Sequence, residues 1–476
     1  MTTTNGNRKI LDLKRWEFCS LSPNASAAGA FIASSRHYRQ RQLLVSSNSA
    51  AALYLPEEDG WTVLTSPGLA GTFGGGAAGV AGAWSTGTTV AASSLTATAG
   101  TTQSITTNQT LSVDLRGYKV HILSGPNAGE TKEIAYNTIG ANAVITFTAA
   151  SGSAFSASTV YRLCTPVWYV VGAGTLASGS FRKYDYATNT WTTLSQTGLP
   201  ATLANDGKLV STPSWMGTDY LAFATGTATA GAATTLTNTA KNWTTNQWAN
   251  SQVRIVSGTG AGQIRTIASN TATVLTVSSA WTTNPDATSV YSIEGNDDFL
   301  YYTGNASVSF YRYQISTNTW STLSSRASLA STGMSANWIW GATETDWTTE
   351  NTIKNGRYIY SFRGAGGAGL DRYDIATNAW ENMSTYTPGG EGFTTGSKHT
   401  YNGNYIFSQR DATGRWVRFD ITKQEMVGWS QFVYAQGAAV VGDTCFDVSY
   451  KDGATELVYV YFLLNSSTVL LRAMVI

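Results

Sequence analysis

Cysteine and histidine are scarce in this chain, with three of each in 476 residues. Cys19, Cys164 and Cys445 stand far apart and cannot all pair, so a disulfide framework is excluded and three small buried apolar side chains are expected. His37, His121 and His399 fall in no metal-ligand spacing, which leaves no candidate metal site. Charge is sparse as well: only 12% of residues are charged, and 30 lysines and arginines face 29 aspartates and glutamates. A bulk electrostatic partner, whether nucleic acid or a membrane surface, is therefore not expected. The longest strongly apolar run, Leu457–Leu464, is too short to span a bilayer as a helix, and the N-terminal MTTTNGNRKILDLKRW has no apolar signal segment. There is no GxSxG elbow, and Gly74–Gly76 lacks the Lys-Ser/Thr that would make it a phosphate loop. No catalytic constellation and no cofactor motif stand out, so the chain reads as a non-enzyme.

Aromatic residues, glycine and small polar residues are abundant. Aromatics make up 12%, with 16 tryptophans among them, beside 47 glycines. This mixture suits short strands and tight turns rather than helices and predicts an all-β chain. One phrase recurs through it: FRKYDYATNTW at Phe181–Trp191, YRYQISTNTW at Tyr311–Trp320 and LDRYDIATNAW at Leu370–Trp380. An aromatic residue and a tryptophan sit seven apart in each, as Tyr184 and Trp191, Tyr313 and Trp320, Tyr373 and Trp380. Tyr54 and Trp61 keep the spacing, and Phe419 and Trp429 stand in a copy with a longer turn. Each phrase reads as strand, polar turn, strand, and the recurrence marks one repeated supersecondary unit.

Four strands in about 40 residues fit the first unit: Ala27–Ser35, Gln42–Ser46, Ala50–Leu55 and Trp61–Leu64. The same template gives apolar second strands at Val167–Val171, Phe299–Tyr302, Tyr358–Phe362, Tyr405–Ser408 and Leu457–Leu464. Small-residue first strands are expected at Gly76–Trp84, Thr218–Thr225, Ser335–Gly341, Gly390–Gly396 and Gly437–Gly442, where strands would converge on an axis. The last unit reaches a third strand at Thr468–Ile476 and has no fourth. The orphan strand Ile10–Leu21, with Trp16, supplies it, and such closure removes exposed sheet edges. The fold expectation is a six-bladed β-propeller closed by its N-terminal strand, with two small inserted β-modules.

The two inserts begin alike, TATAG at Thr96–Gly100 and again at Thr227–Gly231. Val120–Thr138 and Val253–Thr271 align without a gap, with ten of nineteen positions identical. The segments expected are 8–95 for the first blade and the start of the second, 96–161 for one module, 162–226, 227–293 for the other module, and 294–476 for the rest. Both modules enter between a first and a second strand and should project from one face. GPNAG at Gly125–Gly129 matches GTGAG at Gly258–Gly262, so both read as hairpin turns.

A cation recurs beside the third-strand aromatic: Lys183, Arg312, Arg372, Arg418 and Arg472. Strand alternation points these away from the aromatics. They are expected to stack on a tryptophan or tyrosine of the adjacent strand, or to pair with Asp185 and Asp374. Candidate contact residues are few. Arg36, Arg39 and Arg41 form a basic loop in the first unit, and Trp347 lies in a lengthened fourth-unit connection. Trp243, Trp248 and Trp281 in the second insert read either as sugar-stacking side chains or as the core of the module.

Y-D-x-x-T-x-x-W, clearest at Tyr184–Trp191 and Tyr373–Trp380, resembles the kelch repeat, with paired glycines at Gly75–Gly76 and Gly389–Gly390. Outside the inserts about 57 residues fall to each unit, close to the roughly 50 of that repeat. The resemblance implies a six-bladed propeller and leaves function open, since that family hosts unrelated tasks. The insert pattern G-x-G-A-G-Q-x-R-x-I-x-x-N-T at Gly258–Thr271 is similar to modules in tailed-bacteriophage particle proteins, which implies a structural or adhesive role. The expectation is thus a non-enzymatic structural protein of a phage virion, in or around the tail and released by host lysis. Its expected partners are tail, nozzle, fibre or portal-adaptor subunits. Two alternatives stand beside it: an adhesin binding host surface glycans through the insert face, and a divergent glycan-active enzyme.

Overall fold

The computed structural model describes residues 16–25, 29–35, 41–56, 58–71, 73–74, 77–82, 84, 94–172, 174–203, 207–212, 222–303, 308–326, 330–336, 357–363, 369–383, 393, 398–401, 405–410, 415–421, 423–431, 444–452, 455–463 and 467–475. Within these residues the chain is all-β, and no helix is long and apolar enough to cross a membrane. Nearly every strand belongs either to one of six four-stranded antiparallel sheets or to one of two larger closed or near-closed sheets between them.

The first sheet is Phe31–Ser34, Gln42–Val45, Ala51–Leu55 and Gly60–Val63 in sequence order. The second is Ala78–Gly82, Val167–Val171, Phe181–Asp185 and Thr190–Thr193. The third is Lys208–Ser211, Phe299–Thr303, Tyr311–Gln314 and Thr319–Thr322. The fourth contains Ala330–Ala336, Tyr358–Arg363, Leu370–Asp374 and Ala379–Asn382, and the fifth Lys398–Tyr401, Tyr405–Arg410, Arg415–Asp420 and Glu425–Gln431. The sixth joins Thr444–Asp452, Thr455–Leu463 and Leu470–Val475 to Trp16–Phe18 from the other end of the chain, with Trp16 opposite Ala473. The N-terminal strand therefore supplies the fourth strand of the last sheet, as its tryptophan led us to expect. Each first strand also lies against the first strand of the next sheet, and that of the sixth lies against that of the first.

The first strands required correction. In the third sheet the strand is Lys208–Ser211, not Thr218–Thr225, and Ala224–Thr227 pairs instead with Val290–Glu294 in the second module. In the fourth to sixth sheets it lies at Ala330–Ala336, Lys398–Tyr401 and Thr444–Asp452, each displaced from the glycine-rich stretch favoured by the sequence. Glycine carries no side chain to pack and disfavours strand, and Lys208–Ser211, Lys398–Tyr401 and Thr444–Asp452 bring β-branched or aromatic residues to the ladder instead, whereas Ala330–Ala336 is still a strand of small residues.

Successive sheets bury apolar faces against each other, and the repeated phrase fastens them. Asn189, Asn318 and Asn378 end their turns in the left-handed region, with φ of 53°, 53° and 52°, and Asp59 takes the same place at 45°. Asn and Asp tolerate this conformation better than most side chains. The Tyr313 hydroxyl donates to Asn318 Oδ1 at 2.7 Å, and the same oxygen accepts the Ser195 backbone N–H of the preceding sheet's exit at 2.8 Å. Trp320 Nε1 donates to the Ser195 carbonyl at 3.2 Å. Tyr373, Asn378 and Trp380 hold Ser324 the same way, at 2.9, 3.0 and 2.8 Å. Tyr54, Asp59 and Trp61 hold Ser20 at 2.6, 2.8 and 3.0 Å, which ties the sixth sheet to the first. Tyr184 bonds Asn189 at 2.8 Å, and Trp191 Nε1 reaches the Thr65 carbonyl at 3.1 Å. Phe419 has no hydroxyl and takes no part in such a latch, while Trp429 lies in the strand Glu425–Gln431.

Asn318→Gly keeps the backbone conformation and deletes only the side-chain acceptor. It should cost about 1–3 kcal/mol in denaturant unfolding, because the buried Tyr313 hydroxyl and the Ser195 N–H both lose their partner. Asn318→Asp, which restores an acceptor as Asp59 does, should fall close to the parent. A midpoint unmoved by the glycine variant would sink the latch.

The recurring cations behave largely as the alternation required. Arg312 lies over Phe299 at 4.2 Å, Arg372 over Tyr358 at 4.2 Å, Arg418 over Tyr405 at 4.3 Å and Arg472 over Tyr459 at 4.9 Å. The stacking ring belongs to the second strand in every case. Lys183, opposite Tyr169 and with Val167 at the place the stacking rings hold in the other sheets, is buried, and burial pushes its ammonium down to about 8 despite Asp185 beside it. Asp374 serves Arg357, at 2.7 and 2.5 Å, while Arg372 pairs with Glu381 at 2.7 Å.

Candidate functional site

The first insert is a closed barrel of Leu95–Gly100, Ser104–Thr107, Lys119–Ser124, Thr131–Asn137, Val144–Phe147 and Val160–Cys164. The second repeats it from Ala224–Thr227 to Val290–Glu294, with the opening strand split in two. Alternation puts Ile105, Val120, Ile122, Ile134 and Tyr161 inside one module, and Leu236, Val253, Ile255, Ile267 and Tyr291 at matching places in the other, all essentially without exposure.

Trp243, Trp248 and Trp281 belong to this interior. They are 6, 0 and 5% exposed, and Trp243 packs edge-on against Tyr291 at 6.4 Å. The reading of these three as sugar-stacking surface is corrected here: a barrel this small needs large side chains to fill it, and the indoles are spent on that. Arg41 is half-buried with its guanidinium over the Tyr186 ring at 5.6 Å, so it packs against the second sheet. Arg36, Arg39 and Trp347 lie outside the described residues.

The two modules pack on each other through equivalent parts. Gly129 of the first, at φ 88°, sits where a Cβ would stand 2.6 Å from the Val256 carbonyl oxygen. Gly262 of the second, at φ 85°, is pressed against the Leu123 carbonyl. In the gapless alignment Gly129 corresponds to Gly262 and Leu123 to Val256. Each turn therefore meets, in the other module, the residue equivalent to the one its counterpart meets, the reciprocal pattern of a two-fold interface. GPNAG and GTGAG are hairpin turns, as their match implied, and they are also the contact between modules.

His121 and Arg254, again equivalent positions, meet near this pseudo-axis. Arg254 gives Nε and Nη2 to Glu294 Oε1 at 3.0 and 2.9 Å, and Gln252 Nε2 reaches the other oxygen at 3.2 Å. Arg162 Nη1 holds Asp297 Oδ2 at 2.8 Å and lies over Trp84 at 4.6 Å. His121 Nδ1 is 3.0 Å from the Thr131 hydroxyl. Burial first, then the positive charges of Arg254 and Arg162, push its imidazole down to about 3, so it is neutral beside two cations. Cys164 is buried, and its thiol is pushed up to about 11 by that burial, as Cys19 is by its own. Neither is a reactive thiol. Among the described residues no three His, Cys, Asp or Glu side chains converge in a way that could hold a metal ion.

Beside the pseudo-axis the modules leave a cleft of about 710 Å³. Leu123, Ser124 and Val160 form one wall, and the turn Gly258–Gly262 with Ile264 and Thr283 forms the other. Among the described residues, Arg162 and Arg265 are the charged ones lining it, and no aromatic ring does. Sequence reasoning missed this cleft. The identity between the inserts was visible, but nothing in either one announces that the two pair with each other. No protein-family model and no curated protein matches the chain.

Proposed function

We propose that the six sheets are the blades of a six-bladed, kelch-like β-propeller, and that the chain is a non-enzymatic structural component of a tailed-phage particle. It would sit in or near the tail and meet neighbouring subunits through the paired modules. The observation that carries the architecture is the latch at Ser20: Tyr54, Asp59 and Trp61 fasten the sixth sheet to the first as Tyr, Asn and Trp fasten the second to the third and the third to the fourth. A scaffold closed this way can hold inserted parts in fixed positions, as an assembly component requires. The assignment to a phage particle rests on the likeness of the insert pattern to modules of such proteins. The pairing supports it: two modules locked by reciprocal turns present one rigid surface instead of two tethered ones.

Purified particles from a lysate containing this protein should hold it in a fixed ratio to the major capsid protein, at a copy number matching a symmetric tail or vertex element. Quantitative peptide mass spectrometry measures that ratio. Absence from the particles would overturn the particle reading and leave the fold argument untouched.

A further inference from the structure

The cleft between the modules has the size of a small-molecule site, about 300–1,000 Å³ in general, and an uneven chemistry. Arg265 dominates it. Its guanidinium stacks over the buried Trp281 at 5.5 Å. Three of its donors are fixed: Nε on the Ala280 carbonyl at 2.9 Å, Nη1 on the Ile264 carbonyl at 2.8 Å and Nη2 on the Thr282 hydroxyl at 3.2 Å. No carboxylate pairs with it among the described residues, unlike Arg162 and Arg254, whose charges Asp297 and Glu294 balance. A guanidinium carries five N–H donors, so the head group is held in place with donors left over. A half-buried cation, rigid and uncompensated, lowers the entropy lost in holding an anion.

The rest of the lining narrows the anion. Ser94, Ser124 and Thr283 bring hydroxyls, which donate as well as accept, and Leu123, Val160 and Ile264 bring apolar surface from both walls. A bare sulfate offers acceptors only, and neither it nor inorganic phosphate would cover the apolar surface. A sugar ring offers hydroxyls for the polar groups and C–H faces for the apolar ones, and an acidic sugar adds a carboxylate for Arg265. With no ring lining the cleft among the described residues, a neutral sugar lacks the stacking platform that usually holds it.

We propose that this cleft binds an acidic oligosaccharide, with a uronate carboxylate on Arg265 and sugar hydroxyls on Ser124 and Thr283. The assignment stands apart from the particle reading, since the cleft binds or fails to bind whether or not the chain is found in virions.

Isothermal titration of the full chain with a uronic-acid tetrasaccharide tests it, beside a neutral glucose tetrasaccharide and inorganic sulfate. The expected result is saturable binding of the uronate, weakened by salt, with the neutral sugar at least tenfold weaker. Arg265→Gln should weaken uronate binding tenfold or more. Thr283→Trp fills the mouth from an exposed position whose contacts to Gln263 are made by its backbone, and it should abolish binding while the melting temperature holds. Absence of saturable binding, equal binding of the neutral sugar, or uronate binding unchanged in Thr283→Trp each overturns the proposal. Displacement of the uronate by sulfate at equal concentration also overturns it, since the cleft would then be a plain anion site.

Discussion

Trp320→Ala should lower the unfolding free energy by roughly 3–5 kcal/mol, the range for deleting a large aromatic from a filled interior. The ring is 6% exposed and touches two sheets at once. It lies 5.1 Å from Tyr313 in its own sheet and 5.0 Å from Phe181 in the preceding one, edge-on to the latter. Its Nε1–H holds the Ser195 carbonyl, so truncation opens a cavity and strips a hydrogen bond from the same seam. Trp320→Phe separates the two effects, since it keeps most of the volume and loses only the donor; about 1 kcal/mol is expected. Denaturant unfolding followed by tryptophan fluorescence would measure both. Trp191→Ala is the internal comparison, because the same position in the second sheet is only half-buried and should cost less. A loss below about 1 kcal/mol for Trp320→Ala, or one no larger than for Trp191→Ala, would show that the seam does not depend on the indole.

That seam shows what the sequence could and could not convey. Tyrosine, asparagine and tryptophan at fixed spacing marked a strand, a turn and a strand, and the register confirms it, with Tyr184 opposite Trp191, Tyr313 opposite Trp320 and Tyr373 opposite Trp380. Local spacing sets local pairing, so this much was legible. The other half of the latch was not, because Ser20, Ser195 and Ser324 contribute backbone N–H and C=O groups, which every residue carries. First strands were not legible for a related reason: small residues mark close approach to an axis but not where a ladder begins, and Lys208–Ser211, Lys398–Tyr401 and Thr444–Asp452 hold larger residues than the glycine-rich stretches beside them. The cleft shows the same limit. Gly129 and Gly262 looked like turn residues, and turn residues they are, yet their lack of a side chain is also what lets the modules touch. Intramodule alternation predicts a barrel; contact between two barrels has no period to read.

Stability should fall as pH is lowered from about 6.5 toward 3, and His121 should account for the part of that fall above the carboxylate range. Its imidazole is pushed down to about 3 in the folded chain, first by burial and then by Arg254 and Arg162, against the opposing pull of a hydrogen bond with Glu130. An unfolded histidine titrates near 6.5. Between these values the unfolded chain binds a proton that the folded chain refuses, so the stability is fully present above pH 6.5 and drains as pH falls. At 1.36 kcal/mol per pH unit the loss from pH 6.5 to 4.5 is about 2–3 kcal/mol, before most carboxylates protonate. The structural reason is that a charged imidazole here would be a third cation beside two arginines whose carboxylates are already engaged. His121→Gln keeps a polar, uncharged side chain and should flatten the curve between pH 6.5 and 4.5 while leaving the fall below pH 4. With only three histidines in the chain, proton NMR can follow the ring directly, and its resonance should keep the neutral position down to pH 4.5. A midpoint near 6.5 for His121, or an unchanged pH profile in the glutamine variant, would mean that protons reach the contact between the modules and that it opens more readily than its reciprocal packing implies.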